Sequence, residues 1–134
     1  MPAAFSISTL SPFWSMRVTG MKILIVDDNP AVREMIRSFL PEAFDQVCEC
    51  ADGADALACY RSFRPDWVLM DWDMKGLNGL AATREILVEF PEARIVFVTQ
   101  HEDPELRIAA DEAGAKGFVL KDDLSALRSL LFVQ

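Results

Sequence analysis

Two short apolar runs in this chain end in acid. Ile23-Leu24-Ile25-Val26 closes on Asp27 and Asp28, and Trp67-Val68-Leu69-Met70 closes on Asp71, with Asp73 two residues further on. Runs of this length read as buried parallel strands that carry carboxylates to one rim of a sheet, the rim where open α/β sheets place their ligand sites. Converging carboxylates oppose one another, because unit charges ~4 Å apart repel by about 4 kcal/mol at an effective dielectric near 20. Something positive must share the crevice. A hard divalent cation held by oxygens is the natural candidate.

The elements that must hold these acids alternate from residue 21 onward. A strand over 22–26 leads to a helix that opens at Pro30, carries Val32, Met35, Ile36, Phe39 and Leu40 on one face, and stops at Pro41. A second strand over 46–50 is followed by the turn Asp52-Gly53 and a helix with Ala54, Leu57 and Ala58 inward. The third strand, 67–70, precedes a helix over 80–90 that buries Leu80, Thr83, Ile86, Leu87 and Phe90 before Pro91. A fourth strand over 94–98 leads to a helix over 104–113, with Leu106, Ala109, Ala110 and Ala113 inward and Gly114 at its end. The fifth strand, 116–120, precedes a helix capped by Asp122 or Asp123 and carrying Leu124, Leu127, Leu130 and Leu131. Five strands alternating with five helices imply a parallel sheet covered on both faces.

That topology lines up Asp27, Asp28, Asp71, Asp73, Thr99 and Lys121 along one rim. Carboxylates hold a metal and supply a nucleophile, a hydroxyl donates one hydrogen bond, and an ammonium neutralises new negative charge. A carboxylate that attacks phosphorus becomes an aspartyl phosphate. Such transfer depends mostly on positioning and on stabilising the equatorial oxygens.

Residues 21 to about 132 resemble the receiver domain of two-component response regulators. The resemblance rests on Ile25-Val26-Asp27-Asp28-Asn29, Val68-Leu69-Met70-Asp71-Trp72-Asp73-Met74 with Gly79, Val98-Thr99, and Gly114-Ala115-Lys116-Gly117-Phe118-Val119-Leu120-Lys121, which occur in that order. It implies a doubly wound, flavodoxin-like sandwich with strand order 2-1-3-4-5. It also implies that Asp71 accepts a phosphoryl group from a histidine kinase or phosphotransfer protein. Asp27, Asp28, Asp71 and the main-chain carbonyl of Asp73 would coordinate Mg²⁺. Thr99 and Phe118 would act as a switch that alters the face formed by the fourth helix, fifth strand and fifth helix. A downstream protein, or an output domain outside this sequence, would read that face; dimerisation of the chain through it rests on the resemblance alone. The Lys121-Asp122 ending is similar to receivers of helix-turn-helix transcription-factor regulators.

Four positions depart from the pattern. Lys75 replaces a usual Pro in the loop after the phosphoacceptor, and Gln100 with His101 replaces small residues beyond the switch Thr. Asp73, Lys75 and His101 are therefore read as modulators of phosphoryl lifetime. Asp122 stands where many receivers carry Pro after a cis bond, so a trans bond is expected here.

The chain has 134 residues, and 21 acidic against 13 basic side chains leave a net charge of −8. With no Lys/Arg cluster, direct nucleic-acid binding is excluded. No apolar stretch reaches membrane-spanning length. Cys48, Cys50 and Cys59 form neither a zinc pattern nor a disulfide framework and read as reduced thiols of a cytoplasmic protein. Residues 1–20 lack the charge-then-apolar order of a secretory signal. They read as a flexible extension or a start assigned too early, with a docking arm as the sharper alternative, so the receiver domain is assigned to 21–134. Two other functions compete with the switch. Asp71-Trp72-Asp73 superficially matches the nucleophile pair of haloacid-dehalogenase-like phosphatases, and a receiver-shaped interaction module would need no phosphate. A flavin site is disfavoured by the anionic loop Asp27-Asp28-Asn29-Pro30. The chemistry expected is self-phosphorylation and self-hydrolysis, not enzymatic turnover.

Overall fold

The computed structural model describes residues 20–74 and 76–132. The expectations for residues 1–19 and for Lys75 lie outside the described residues. Five strands, β1 (Lys22–Val26), β2 (Gln46–Cys50), β3 (Trp67–Met70), β4 (Ile95–Thr99) and β5 (Gly117–Leu120), form one sheet in the order β2-β1-β3-β4-β5. Every pairing is parallel. The helices are α1 (Pro30–Ser38), α2 (Ala56–Phe63), α3 (Gly79–Glu89), α4 (Pro104–Glu112) and α5 (Ala126–Leu131).

Strand periodicity divides the core into two layers. Leu24, Val26, Val68, Met70, Ile95 and Phe97 point to one face and meet Ala56 and Tyr60 of α2, Ala82 and Ile86 of α3, and Ala110 of α4. Ile23, Ile25, Trp67, Leu69, Val96, Val98 and Val119 point to the other and meet Ile36 of α1 and Leu127 and Leu131 of α5. Both faces of the central strands are thus covered, which explains why they read as continuous apolar runs. Two polar caps start the helices that leave the rim. The Asn29 side chain accepts from the Ala31 N–H at 2.9 Å, and that of Asn78 accepts from the Ala81 N–H at 2.9 Å.

Helix faces differ from expectation in three places. On α1 only Ile36 is buried, while Met35 and Phe39 are each 42% exposed, because a nine-residue helix laid on a sheet buries a narrow stripe. Ahead of α2, a 3₁₀ turn over Gly53–Asp55 is capped by Asp52 and delays the α-helix to Ala56. That delay rotates the buried face onto Ala56 and Tyr60, leaving Ala54 and Ala58 exposed. Neither Asp122 nor Asp123 caps α5: its N-cap is Ser125, and the Asp123 carboxylate instead accepts from Ser125 Oγ at 3.0 Å. The backbone turns first, with the Asp123 N–H donating to Leu120 O at 2.9 Å, so the helix starts too late for those acids to serve it. Gly114 ends α4 in the left-handed region at φ +102°. All peptide bonds among the described residues are trans. The three cysteines carry free thiols. Among the described residues no helix is long and apolar enough to cross a membrane.

Candidate functional site

Hydrogen bonding along the sheet sets where the acids stand. The Asp27 N–H donates to Cys50 O at 3.0 Å and the Asp71 N–H to Val26 O at 2.9 Å, so each strand's register fixes the acid that follows it. Asp27, Asp28 and Asp71 each bring a carboxylate oxygen within 4.8 Å of the others. Asp27 and Asp71 are buried, 1% and 4% exposed, whereas Asp28 faces solvent.

Lys121 arrives from the end of β5, held by donation of its N–H to Thr99 O at 2.7 Å. Its ammonium stands 3.0 Å from Asp71 Oδ1 and 3.1 Å from Asp27 Oδ2. One ammonium therefore answers three carboxylates. Burial pushes the Asp71 carboxyl up to about 6, the charges of Asp27 and Asp28 push the same way, and Lys121 partly opposes them. Burial disfavours the Lys121 charge, but attraction to the Asp71 and Asp27 carboxylates outweighs that cost and holds its pKa above the usual lysine value.

The remaining predicted residues fall around this cluster in different ways. Thr99 ends β4, one residue later than the sequence pattern places the strand end, and is 1% exposed. Its Oγ1 accepts from the His101 N–H at 3.2 Å. The Asp73 carboxylate turns away from the other acids and contacts His101 Nε2, so Asp73 and His101 form a polar pair between the β3 and β4 loops. Any role for Asp73 toward a metal would fall to its main chain. Phe118 is half-buried on β5, with the Arg107 guanidinium 4.7 Å above its ring.

Several positioning residues were not legible in the sequence pattern. Asn29 N–H donates to Asp27 Oδ1 at 2.9 Å, and Arg33 Nη1 donates to the Asp27 carbonyl at 2.6 Å. Arg33 is itself tied to Glu49 at 2.6 Å. Trp72, in the loop after β3, packs on Phe97 with ring centroids 4.9 Å apart and reaches toward Phe118 at 6.5 Å. It links the acidic rim to the proposed switch aromatic. Gly79 has a steric reason: a Cβ there would lie 2.0 Å from the Asp71 carbonyl oxygen, so only glycine lets α3 start against the acid's backbone.

Asp27 Oδ2 tests whether a cation fits. It is buried and has no aligned hydrogen-bond donor; the Lys121 ammonium is close enough for charge attraction alone. An all-oxygen donor set with excess negative charge and an unmet buried oxygen suits a hard divalent ion such as Mg²⁺.

Comparison with known proteins agrees with this geometry. A family model described as the response regulator receiver domain matches residues 23–132. An uncharacterized transcriptional regulatory protein, YhcZ of Bacillus subtilis, is 38% identical over 104 residues, covering 76% of this chain and 49% of that protein. Chemotaxis protein CheY of Thermotoga maritima is 35% identical over 103 residues, covering 76% of this chain and 86% of that protein. The crystal structure of a LuxR-family two-component response regulator from Aurantimonas superposes with a TM-score of 0.75 at 38% identity, covering 79% of this chain and 78% of that one. The chain spans about half the length of the transcriptional regulatory relatives it matches. With its parallel 2-1-3-4-5 sheet and its acids gathered at the strand ends, this chain belongs to the response regulator receiver domain family.

Proposed function

We propose that the chain is a phosphorylation-dependent switch in which Asp71 accepts a phosphoryl group from the phosphohistidine of a histidine kinase or phosphotransfer protein. The observation that carries this reading is the convergence of Asp27, Asp28 and Asp71 with the Lys121 ammonium bridging two of them. An ionised Asp71 Oδ attacks phosphorus, a P–O bond forms, the donor's P–N bond breaks, and the leaving imidazole takes up a proton. Lys121 and the Thr99 hydroxyl each bind a transferred oxygen, and the Lys121 charge meets the new negative charge. Asp27, Asp28, Asp71 and the main-chain carbonyl of Asp73 would hold Mg²⁺, which when bound supplies charge neutralisation at the transferring group. Hydrolysis of the acyl phosphate by water resets the switch, so the chain acts on itself and not on an external substrate.

Asp73 and His101 border the approach to Asp71 and, together with Lys75, whose role rests on the sequence alone, set how readily water or donor arrives. The Asp73–His101 pair supports this role for two of them. Thr99 and Phe118 relay the modification: movement of Thr99 toward the phosphoryl group frees space into which Phe118 turns. The surface of α4, β5 and α5 then changes for a cytoplasmic partner or an attached output domain.

The test is Mg²⁺-dependent labelling from acetyl phosphate, read as one added phosphoryl mass on the intact chain. Asp71→Ala abolishes it. Equal labelling of parent and variant would sink the assignment.

A further inference from the structure

Gly53 opens the 3₁₀ turn between β2 and α2 and is buried. Its φ is not in the left-handed region, so backbone conformation does not call for glycine there. Space does. A Cβ at Gly53 would lie 2.1 Å from the Leu77 carbonyl oxygen, 3.0 Å from the Leu77 carbonyl carbon and 3.2 Å from Met74 Cε. Two of those three atoms are backbone, which cannot swing aside as the end of a side chain can. Met74 and Leu77 belong to the loop that joins Asp71 to α3. The β2–α2 turn therefore bears directly on the main chain of the loop that follows the proposed phosphoacceptor.

A second contact joins the same two segments. Gly76 holds φ +77°, and a Cβ there would lie 3.3 Å from Asp52 Oδ1, so the Asp52 carboxylate stands over this loop. That carboxylate is fixed, because Oδ1 accepts from the Ala54 N–H at 2.9 Å. The Asp52 carbonyl accepts from Cys50 Sγ at 3.1 Å and from the Asp55 N–H at 3.1 Å. Cys50 ends β2, and its own carbonyl accepts the Asp27 N–H at 3.0 Å. The turn is thus tied to the strand end that registers Asp27. At its base the loop closes on itself, with the Gly79 N–H donating to Trp72 O at 3.0 Å. Asp73 lies between that closure and the turn.

We propose that Gly53 is a positioning residue for the cation site: it seats the β2–α2 turn against Leu77 and so sets where the Asp73 main-chain carbonyl stands relative to Asp27, Asp28 and Asp71. This role rests on the reading of that carbonyl as a Mg²⁺ ligand. A side-chain ligand can adjust its rotamer, whereas a main-chain oxygen is aimed only by placing the backbone that carries it. A methyl group at position 53 displaces Leu77 and carries the loop with it.

The test is calorimetric titration of the full chain with Mg²⁺, on variants that urea unfolding shows to be folded. Gly53→Ala is expected to weaken Mg²⁺ binding by about 10–100-fold, the range for outer groups that orient metal ligands. Leu127→Ala, which opens a cavity in the other core layer, controls for lost stability and should bind Mg²⁺ as the parent does. Should Gly53→Ala fail to fold, a matched pair of substitutions in the same turn decides. Asp52→Ser keeps a capping oxygen but loses the carboxylate over Gly76, and should weaken Mg²⁺ about fivefold, below the lower end of that range. Asp55→Ser removes the same charge from a side chain that caps nothing, and should match the parent. In metal-free protein, exchange of the Gly79 N–H in Gly53→Ala should quicken about tenfold relative to that of the Val68 N–H, a bond within the central sheet. Mg²⁺ affinity unchanged in Gly53→Ala, weakened as much in Leu127→Ala, or equal in the two serine variants overturns the seat alone. A parent that binds no Mg²⁺ overturns the cation reading and this role for Gly53 with it.

Discussion

The two halves of the rim are built differently. On the β1–β3 side, Val26 and Met70 are fully buried and the acids that follow them are held by main-chain bonds to neighbouring strands. On the β4–β5 side, Thr99 is as deeply buried as Asp27, but β5 is an edge strand whose Phe118 is half-buried. A cavity of about 470 Å³ opens beside Phe118, lined by Arg107, Ile108 and Ala110 of α4 together with Lys116. The difference teaches a division of labour. The acids proposed to meet the reacting atom follow central strands, where small displacements cost packing on both faces. Groups proposed to report the reaction sit at the edge, where local rearrangement disturbs fewer buried contacts. Lys121 joins the halves, since it ends the edge strand yet touches both central acids.

Breaking that join should have the largest effect. Lys121→Met leaves Asp27 and Asp71 buried without their cation, and removing one partner of such a pair costs about 3 kcal/mol or more. Urea unfolding at neutral pH should show this loss, and added Mg²⁺ should restore part of it. Labelling from acetyl phosphate should slow by about 10²-fold, as when one charge-stabilising donor is removed. A variant as stable and as reactive as the parent would mean that the two halves are not electrostatically joined.

Proton linkage sharpens the same comparison. The Asp71 carboxyl is raised from its ordinary 3.8 to about 6 in the folded, metal-free chain. The folded state therefore holds a proton that the unfolded state has released between those values. This contribution to stability is complete below about pH 4 and lost as pH rises through about 6. Melting temperature followed from pH 4 to 7 without metal should carry that downward component, absent in Asp71→Asn. Saturating Mg²⁺, which favours the ionised carboxylate, should shrink that component. A component unchanged by Mg²⁺ would contradict Asp71 as part of the cation site.

The smallest effect on chemistry is expected at the edge. Phe118→Ala removes the ring under the Arg107 guanidinium and the neighbour of Trp72. A partly exposed cation–π contact is worth about 0.5–1 kcal/mol, so stability should change little from that source. Labelling should stay within about twofold of the parent, given that Phe118 donates no group to the phosphoryl oxygens. Hydrogen exchange of α4 and β5, however, should stop responding to beryllofluoride and Mg²⁺. A large loss of labelling would place Phe118 on the chemical side of the division.

Much of this arrangement was readable before any coordinates. Continuous apolar runs announced strands buried on both faces, and the acid ending each run announced the rim. Lys121 was recognisable because it closes the last apolar run in the same way. Harder to read were contacts made across the sheet. Arg33 reaches the Asp27 carbonyl only because α1 runs back beside β1, and no spacing rule pairs those residues. Spacing says nothing of what the Trp72 ring meets, because its partner Phe97 comes from β4. The buried face of α2 was misread because a 3₁₀ turn, which periodicity does not register, precedes the α-helix.

What the residues alone determined is the kind of chemistry on offer and the scaffold able to present it: four acids, a hydroxyl and an ammonium at the ends of alternating strands. Those are local properties, set by which side chains follow which apolar runs. What tertiary structure decided is which acids converge. It brought Asp27, Asp28 and Asp71 together under Lys121 and turned the Asp73 side chain toward His101. Strand register and loop direction settle that choice, and both depend on packing between segments far apart in the chain, where sequence spacing carries no information.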